Sequence, residues 1–226
     1  MRKTVIIVAG GKGKRMSSDV PKQFLLIEGL PVLMHTIEAF YRYDETIQII
    51  VVLPESEHSR WQNLCREHKF TVPHEVVGGG QERFHSVKNG LEKATGDIIA
   101  VHDGVRPLVS VELIERCFSA AAIHKAIVPV TEIVDSLRIL ENGKNRILDR
   151  NICKIVQTPQ VFEARILKKA CLQEYNKNFT DDASVVEKSG EKITLVEGER
   201  QNIKITTPAD LKIAENFLRD LKILNV

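Results

Sequence analysis

Thr4-Val-Ile-Ile-Val-Ala9, running directly into Gly10-Gly11, decides the fold. A short run this rich in apolar and β-branched residues, without polar alternation, predicts a strand covered on both faces, as in a parallel sheet. Similar runs recur at Ile47–Leu53, Asp97–His102 and Ala126–Val130. Between them lie stripes at helical spacing: Val32, Leu33, Ile37 and Phe40, then Phe84, Val87, Leu91 and Ala94, then Leu113, Ile114, Cys117 and Ala121. Strands alternating with helices predict an α/β chain of βαβ units, a mostly parallel sheet flanked by helices and joined by right-handed crossovers. A closing helix starts at Pro208 and carries Leu211, Ala214, Phe217, Leu218 and Leu221 in amphipathic register.

One segment breaks the alternation. Ser136–Leu140 and Arg146–Leu148 flank Asn142-Gly143, and Asn-Gly between apolar runs is a strong hairpin signal because both turn residues tolerate positive φ. This predicts a β-arm at about 132–156 on a single domain spanning 1–226. A lone two-stranded arm is marginal in water, so it needs a surface to pack on, and a second copy of the chain is the natural candidate.

The chain has 226 residues, enough for folding to bury about 70–75 % of the unfolded surface without a disulfide or metal staple. Thirty-two Lys+Arg against thirty Asp+Glu leave +2, which argues against a nucleic-acid partner held by bulk charge. No run reaches the roughly 18–20 apolar residues a bilayer span needs, so no membrane partner is expected. The four cysteines form no C-x-x-C pair, and no secretory or transit pattern precedes the first strand; the expected location is a reducing cytoplasm.

Chemistry concentrates at the ends of the apolar runs. Ala9-Gly-Gly-Lys-Gly-Lys-Arg-Met16 follows the first strand, and Pro21-Lys22-Gln23 follows that; residues 1 to 23 hold six basic side chains and one acidic one. Glycines that bring backbone N–H groups close, with cations crowded at a strand's C-terminal end, suit a polyphosphate. G-x-x-x-x-G-K-[ST] is absent, and G-x-G-x-x-G fails at Met16. That failure, with the crowded cations, weighs against a dinucleotide oxidoreductase. A non-enzymatic nucleotide sensor is the further rival. Gly78-Gly79-Gly80-Gln81 with Ser86 can read a base edge; the ordinary alternative is a surface turn capped by Gln81 or Ser86. His102-Asp103-Gly104-Val105-Arg106-Pro107 ends a buried run, where Asp103 can hold Mg²⁺ or, in the ordinary reading, pair with Arg106. His102 reads as a packed histidine with a satisfied ring. Thr180-Asp181-Asp182 opens a helix, with a Thr or Asp cap as the usual role. Asn202-Ile203-Lys204-Ile205-Thr206 reads as a buried strand carrying one lysine, a charge for which a substrate phosphate would be a partner.

Taken in order, Ala-Gly-Gly-x-Gly-x-Arg-Met, Pro-Lys-Gln, Gly-Gly-x-x-Arg, His-Asp-x-x-Arg-Pro, Thr-Pro-Gln, Thr-Asp-Asp and Asn-Ile-Lys resemble the 2-C-methyl-D-erythritol 4-phosphate cytidylyltransferases of the non-mevalonate isoprenoid pathway, over about residues 3 to 220. The resemblance implies a Rossmann-like nucleotidyltransferase fold, a homodimer with interlocking arms, and Mg²⁺-dependent transfer of CMP from CTP to a polyol phosphate, other divalent cations being possible. It implies that Ala9, Gly10, Gly11 and Gly13 wrap CTP, and that Arg15 and Lys22 stabilise the transferring phosphate. Gly79, Gly80, Gln81 and Ser86 would face the cytosine; Asp103, Gly104 and Arg106 would line the ribose–metal side, with Asp103 as metal ligand. Ser136 and Arg150 would reach a partner's acceptor site, which Arg106, Thr158, Thr180, Asp181 and Lys204 complete. Arg150 and Lys204 would hold the attacking phosphate in line. Gln81 and Ser136 stand where the family is associated with Asp and Thr, and Gly104-Val105 replaces Ala-Ala. Cytidylyltransferases acting on ribitol or ribulose 5-phosphate share much of this motif set and are the nearest alternative.

Overall fold

A computed structural model describes residues 1–11 and 20–224, with side chains described as far as residue 220. The strands are β1 (Lys3–Val8), β2 (Leu26–Ile27), β3 (Leu30–Pro31), β4 (Gln48–Leu53), β5 (Glu75–Gly78), β6 (Ile98–Asp103), β7 (Ala126–Glu132), β8 (Leu137–Glu141), β9 (Lys144–Leu148), β10 (Lys154–Val156), β11 (Gln160–Glu163) and β12 (Thr194–Glu197). The α-helices are α1 (Val32–Tyr43), α2 (His58–Glu67), α3 (Arg83–Lys93), α4 (Val111–His124), α5 (Ala164–Ala170), α6 (Asp182–Lys188) and α7 (Pro208–Leu224).

The main sheet has eight strands. β1 lies between β6 and β4, β5 extends beyond β4, and all four run parallel. On the other side β11 runs antiparallel between β6 and β7, β10 continues it along β7, and β12 pairs with β7 in parallel. This is the expected α/β fold, with an antiparallel return that hydrophobic patterning did not reveal.

The unbroken apolar run of β1 is explained by what covers it. Val5 and Ile7 join Ile49, Val51 and Leu53 of β4 in one core with α1 and α4, whereas Ile6 joins Ile50 and Val52 in a second core with α3, α5 and α6. Successive side chains therefore enter opposite cores, and neither face meets water. A third, smaller cluster places Ala214 and Leu218 of α7 against Val105, Leu108 and Ile205.

Local signals act where expected. Ser110 caps α4, accepting from the Leu113 N–H at 2.9 Å. Asn142 (φ 51°) and Gly143 (φ 75°) form the turn between β8 and β9, a separate two-stranded sheet. Residues 202–206 are not a strand. The segment is irregular, with the Ile205 N–H donating to the Val105 carbonyl at 2.9 Å and the Ile205 side chain filling the third core. Among the described residues no helix is long and apolar enough to cross a membrane.

Candidate active site

The parallel strands end on one side of the molecule, and their ends build a cavity of ≈ 500 Å³. Ala9-Gly10-Gly11 leaves β1, Pro54 and Glu55 leave β4, Gly79 through Glu82 leave β5, and Asp103 closes β6. Such a rim at strand C-termini is where open α/β sheets bind ligands. Lys22 enters from a 3-10 turn over Lys22–Phe24 and lies beside Gly11, where an added Cβ would make an ordinary contact of 3.8 Å with the Lys22 Cε. Its neighbour Gln23 is buried and lines the cavity, and its Oε1 has no hydrogen-bond partner among the described residues. Gly13 and Arg15 lie outside the described residues.

The glycine turn after β5 is held from within. Gly80 N–H donates to Ser86 Oγ at 3.1 Å, and that hydroxyl donates to the Glu82 carbonyl at 3.2 Å. A Cβ on Gly80 would fall 2.3 Å from the His85 Cβ, so only glycine fits there. Ser86 therefore closes the turn, the ordinary role considered for it, while Gln81 stands exposed on the rim. Gly104 does not line the cavity. It lies behind it, where a Cβ would meet the Ala9 Cβ at 2.8 Å, so its lack of a side chain brings the ends of β1 and β6 together.

A second cavity of ≈ 260 Å³ adjoins the first, lined by Arg106, Val156, Gln157, Thr158, Gln160, Thr180 and Asp181. Three side chains, Arg83, Asp103 and Lys204, line both. Asp103 is the centre of this partition: Lys204 Nζ lies 2.9 Å from its carboxylate, Arg106 Nε 3.3 Å and Arg83 Nε 3.8 Å. Burial alone would raise its pKa. The three cations outweigh burial and hold the carboxyl well below the usual range, so Asp103 stays ionised. The partner of Lys204 in this structure is thus Asp103, where the sequence suggests a substrate phosphate as one.

Arg83, the first residue of α3, lines both cavities and is a candidate that sequence reading missed. Its Nη2 lies 2.7 Å from Asp182 at the start of α6, which ties the two helices across the partition. Burial opposes its charge, but Asp182 and Asp103 raise its pKa above the ordinary arginine value. Gly-Gly-x-x-Arg contains the signal, but the roles expected from that motif fall on Gly79, Gly80 and Gln81 and not on its arginine.

Asp181 is the N-cap of α6, with Oδ1 accepting from the Ser184 N–H at 2.9 Å and Oδ2 from Gln160 at 2.8 Å. Its capping role is therefore filled, and Thr180 beside it is exposed on the smaller cavity. Ser136 and Arg150 line neither cavity of their own chain. They sit exposed at the arm, where the Arg150 guanidinium donates to the Val134 carbonyl.

A family model covers all the described residues that build these two cavities. Residues 3–220 match the model of the 2-C-methyl-D-erythritol 4-phosphate cytidylyltransferases. The chain belongs to this family. It is 56 % identical over 220 residues to the enzyme of that name from Bacteroides thetaiotaomicron, covering 96 % of this chain and all of the relative. The Bacteroides fragilis enzyme is 54 % identical over 219 residues, with the same coverage. Among solved structures, the cytidylyltransferase from Thermus thermophilus superposes with a TM-score of 0.80 at 32 % identity, covering 97 % of this chain and all of that one. The 4-diphosphocytidyl-2C-methyl-D-erythritol synthase from Anaerococcus prevotii gives 0.82 at 27 % identity, covering 96 % and 98 %.

Proposed function

We propose that this member of the family transfers CMP from CTP to 2-C-methyl-D-erythritol 4-phosphate, giving 4-diphosphocytidyl-2-C-methyl-D-erythritol and pyrophosphate, by in-line attack of the acceptor phosphate on the α-phosphate. The observation that carries the site assignment is the shared wall of Arg83, Asp103 and Lys204 between two cavities. CTP occupies the larger, its phosphates over Ala9, Gly10 and Gly11 beside Lys22 and its base toward Gly79, Gly80 and Gln81, with Ser86 shaping that turn. The acceptor occupies the smaller, beside Arg106, Thr158, Thr180 and Asp181.

The nucleophile needs no general base. A phosphate monoester has its second pKa near about 6 and is mostly a dianion above neutrality. The barrier is repulsion between that dianion and a triphosphate of about −4, so cations and alignment supply the catalysis. Lys22 and, following the family motif, Arg15 take charge that accumulates on the α-phosphate and departing pyrophosphate, and the same motif gives Gly13 a part in wrapping CTP. Lys204 swings from Asp103 to the attacking phosphate.

The donor set fits a divalent cation brought in by the triphosphate. Of the acidic residues that line the cavities, Asp103 is the one shared by both, and among the described residues no cluster of three acidic, His or Cys ligands forms a protein cage. Mg²⁺ commonly binds through one carboxylate plus substrate phosphates. Asp103 would hold it, and the ion would neutralise phosphate charge.

Ser136 and Arg150 act from the arm of a second copy in this reading. Support comes from apolar side chains exposed along the arm and its return: Leu140 at 81 %, Ile147 at 74 % and Ile152 at 75 %. Covering these side chains is the natural task of an interlocked homodimer.

Pyrophosphate release with CTP and Mg²⁺ tests the acceptor. Methylerythritol phosphate should turn over at least a hundredfold more efficiently than ribitol or ribulose 5-phosphate. Preference for a pentose-derived acceptor would overturn the assignment.

A further inference from the structure

His102, next to the partition carboxylate on β6, is fully buried, and its ring meets Phe40 edge-on with centroids 5.0 Å apart. Its Nε2 lies 3.2 Å from the Arg106 carbonyl oxygen. A carbonyl can only accept, so Nε2 carries a hydrogen; full burial disfavours a charged imidazolium, and on the neutral ring Nδ1 is then a bare acceptor. Thr158 Oγ1 lies 3.0 Å from Nδ1 and therefore donates its hydroxyl hydrogen there. The same oxygen accepts from the Asp103 N–H at 3.1 Å. Around this chain, Asn202 Nδ2 donates to the Thr158 carbonyl at 2.8 Å, and Arg106 Nη1 donates to the Asn202 carbonyl at 2.7 Å.

The hydrogen count has a chemical consequence. Thr158 lines the smaller cavity, but its one hydroxyl hydrogen is committed to His102 and one lone pair to Asp103. It retains only accepting capacity. A phosphate dianion, which also offers only lone pairs, gains nothing from such an oxygen, whereas a substrate hydroxyl does.

We propose that His102 is a positioning residue for the acceptor side: by holding the Thr158 hydroxyl hydrogen it turns Oγ1 into an obligate acceptor that recognises a hydroxyl of the polyol and leaves the phosphate to Lys204 and Arg106. The proposal rests on the smaller cavity being the acceptor site.

Two kinds of measurement test it. Nitrogen-15 NMR of the ligand-free protein at neutral pH should show His102 protonated at Nε2 only, with the Nδ1 signal shifting in Thr158→Val. Protonation at Nδ1 would overturn the proposal without touching the assigned reaction. In steady-state kinetics, His102→Phe keeps a ring against Phe40 and removes the Nδ1 acceptor. The acceptor KM should rise about tenfold, the cost of one well-formed hydrogen bond, while the CTP KM stays within threefold. His102→Asn, whose Oδ1 can take the Nδ1 role, should remain within threefold for both. His102→Phe combined with Thr158→Val should be no worse than Thr158→Val alone. Multiplying effects, or equal changes in both KM values, would overturn the proposal. If His102→Phe fails to fold, the Asn variant and the NMR assignment still decide it. Absence of turnover by the wild type with every acceptor would instead remove the proposed reaction.

Discussion

Lys22 carries the largest single expectation at the residue scale. It stands on a short turn against Gly11, at the mouth of the larger cavity, where transferring charge would build. Lys22→Ala should lower kcat by about 10²–10³, the usual cost of one preorganised donor in a water-poor site. A rapid-quench assay at saturating substrates checks this, and a kcat within threefold of wild type would remove Lys22 from the chemistry. His102 makes a separate prediction about acid. Burial pushes its pKa down to about 3, whereas an unfolded histidine titrates near about 6.5. Between those values the unfolded chain binds the extra proton, so stability rises with pH across the window and falls as the solution is acidified. The loss should approach about 1 kcal/mol per pH unit. Urea midpoints at pH 7 and pH 5 measure it, and His102→Asn should shrink the difference.

Elements place these residues, and their packing is tight. α3 lies on β1 and β4 through Gly90, where a Cβ would meet the Ile6 Cγ2 at 2.7 Å and the Val52 Cγ2 at 3.2 Å. Alanine would gain about 1 kcal/mol of helix propensity, but overpacking a filled core costs about 1–3 kcal/mol. Both neighbours are fully buried on inner strands, so Gly90→Ala should lose stability by about 1 kcal/mol and shift Arg83 at the helix start. The urea midpoint reads the first effect and acceptor KM the second. At this scale the sequence spoke unevenly. Continuous runs located β1, β4, β6 and β7 because both faces of these strands are buried, and Asn142-Gly143 marked the arm because its turn demands positive φ. β11 escaped notice because Thr158-Pro159-Gln160 looks like a loop, although Gln160 is buried and holds Asp181 and Ala183. Residues 202–206 misled in the opposite sense. Ile205 is apolar because it plugs a small core, and Lys204 is charged because Asp103 waits for it.

The whole molecule adds what one chain leaves unfinished. The smaller cavity is lined without Arg150 or Ser136, which sit on an arm that exposes Leu140 and Ile147. If two chains exchange arms, each acceptor site combines Lys204 of one chain with Arg150 of the other. Arg150→Ala should then chiefly weaken acceptor binding. Mixed dimers of Arg150→Ala and Lys22→Ala chains should regain part of the activity that each homodimer lacks, since one of the two composite sites is then intact. No regain in coexpressed, doubly tagged dimers would place Arg150 in its own chain's site or outside the chemistry.

In the proposed reading charge holds the phosphates, and the turn after β5 distinguishes the base. Arg83, Arg106 and Lys204 surround the Asp103 carboxylate between cavities of ≈ 500 and ≈ 260 Å³. The most direct test is pyrophosphate release from CTP, UTP, ATP and GTP, each with methylerythritol phosphate and Mg²⁺. The account predicts efficient release from CTP and release at least a hundredfold slower from the other three. Equal use of all four nucleotides, or no release from CTP, would contradict it.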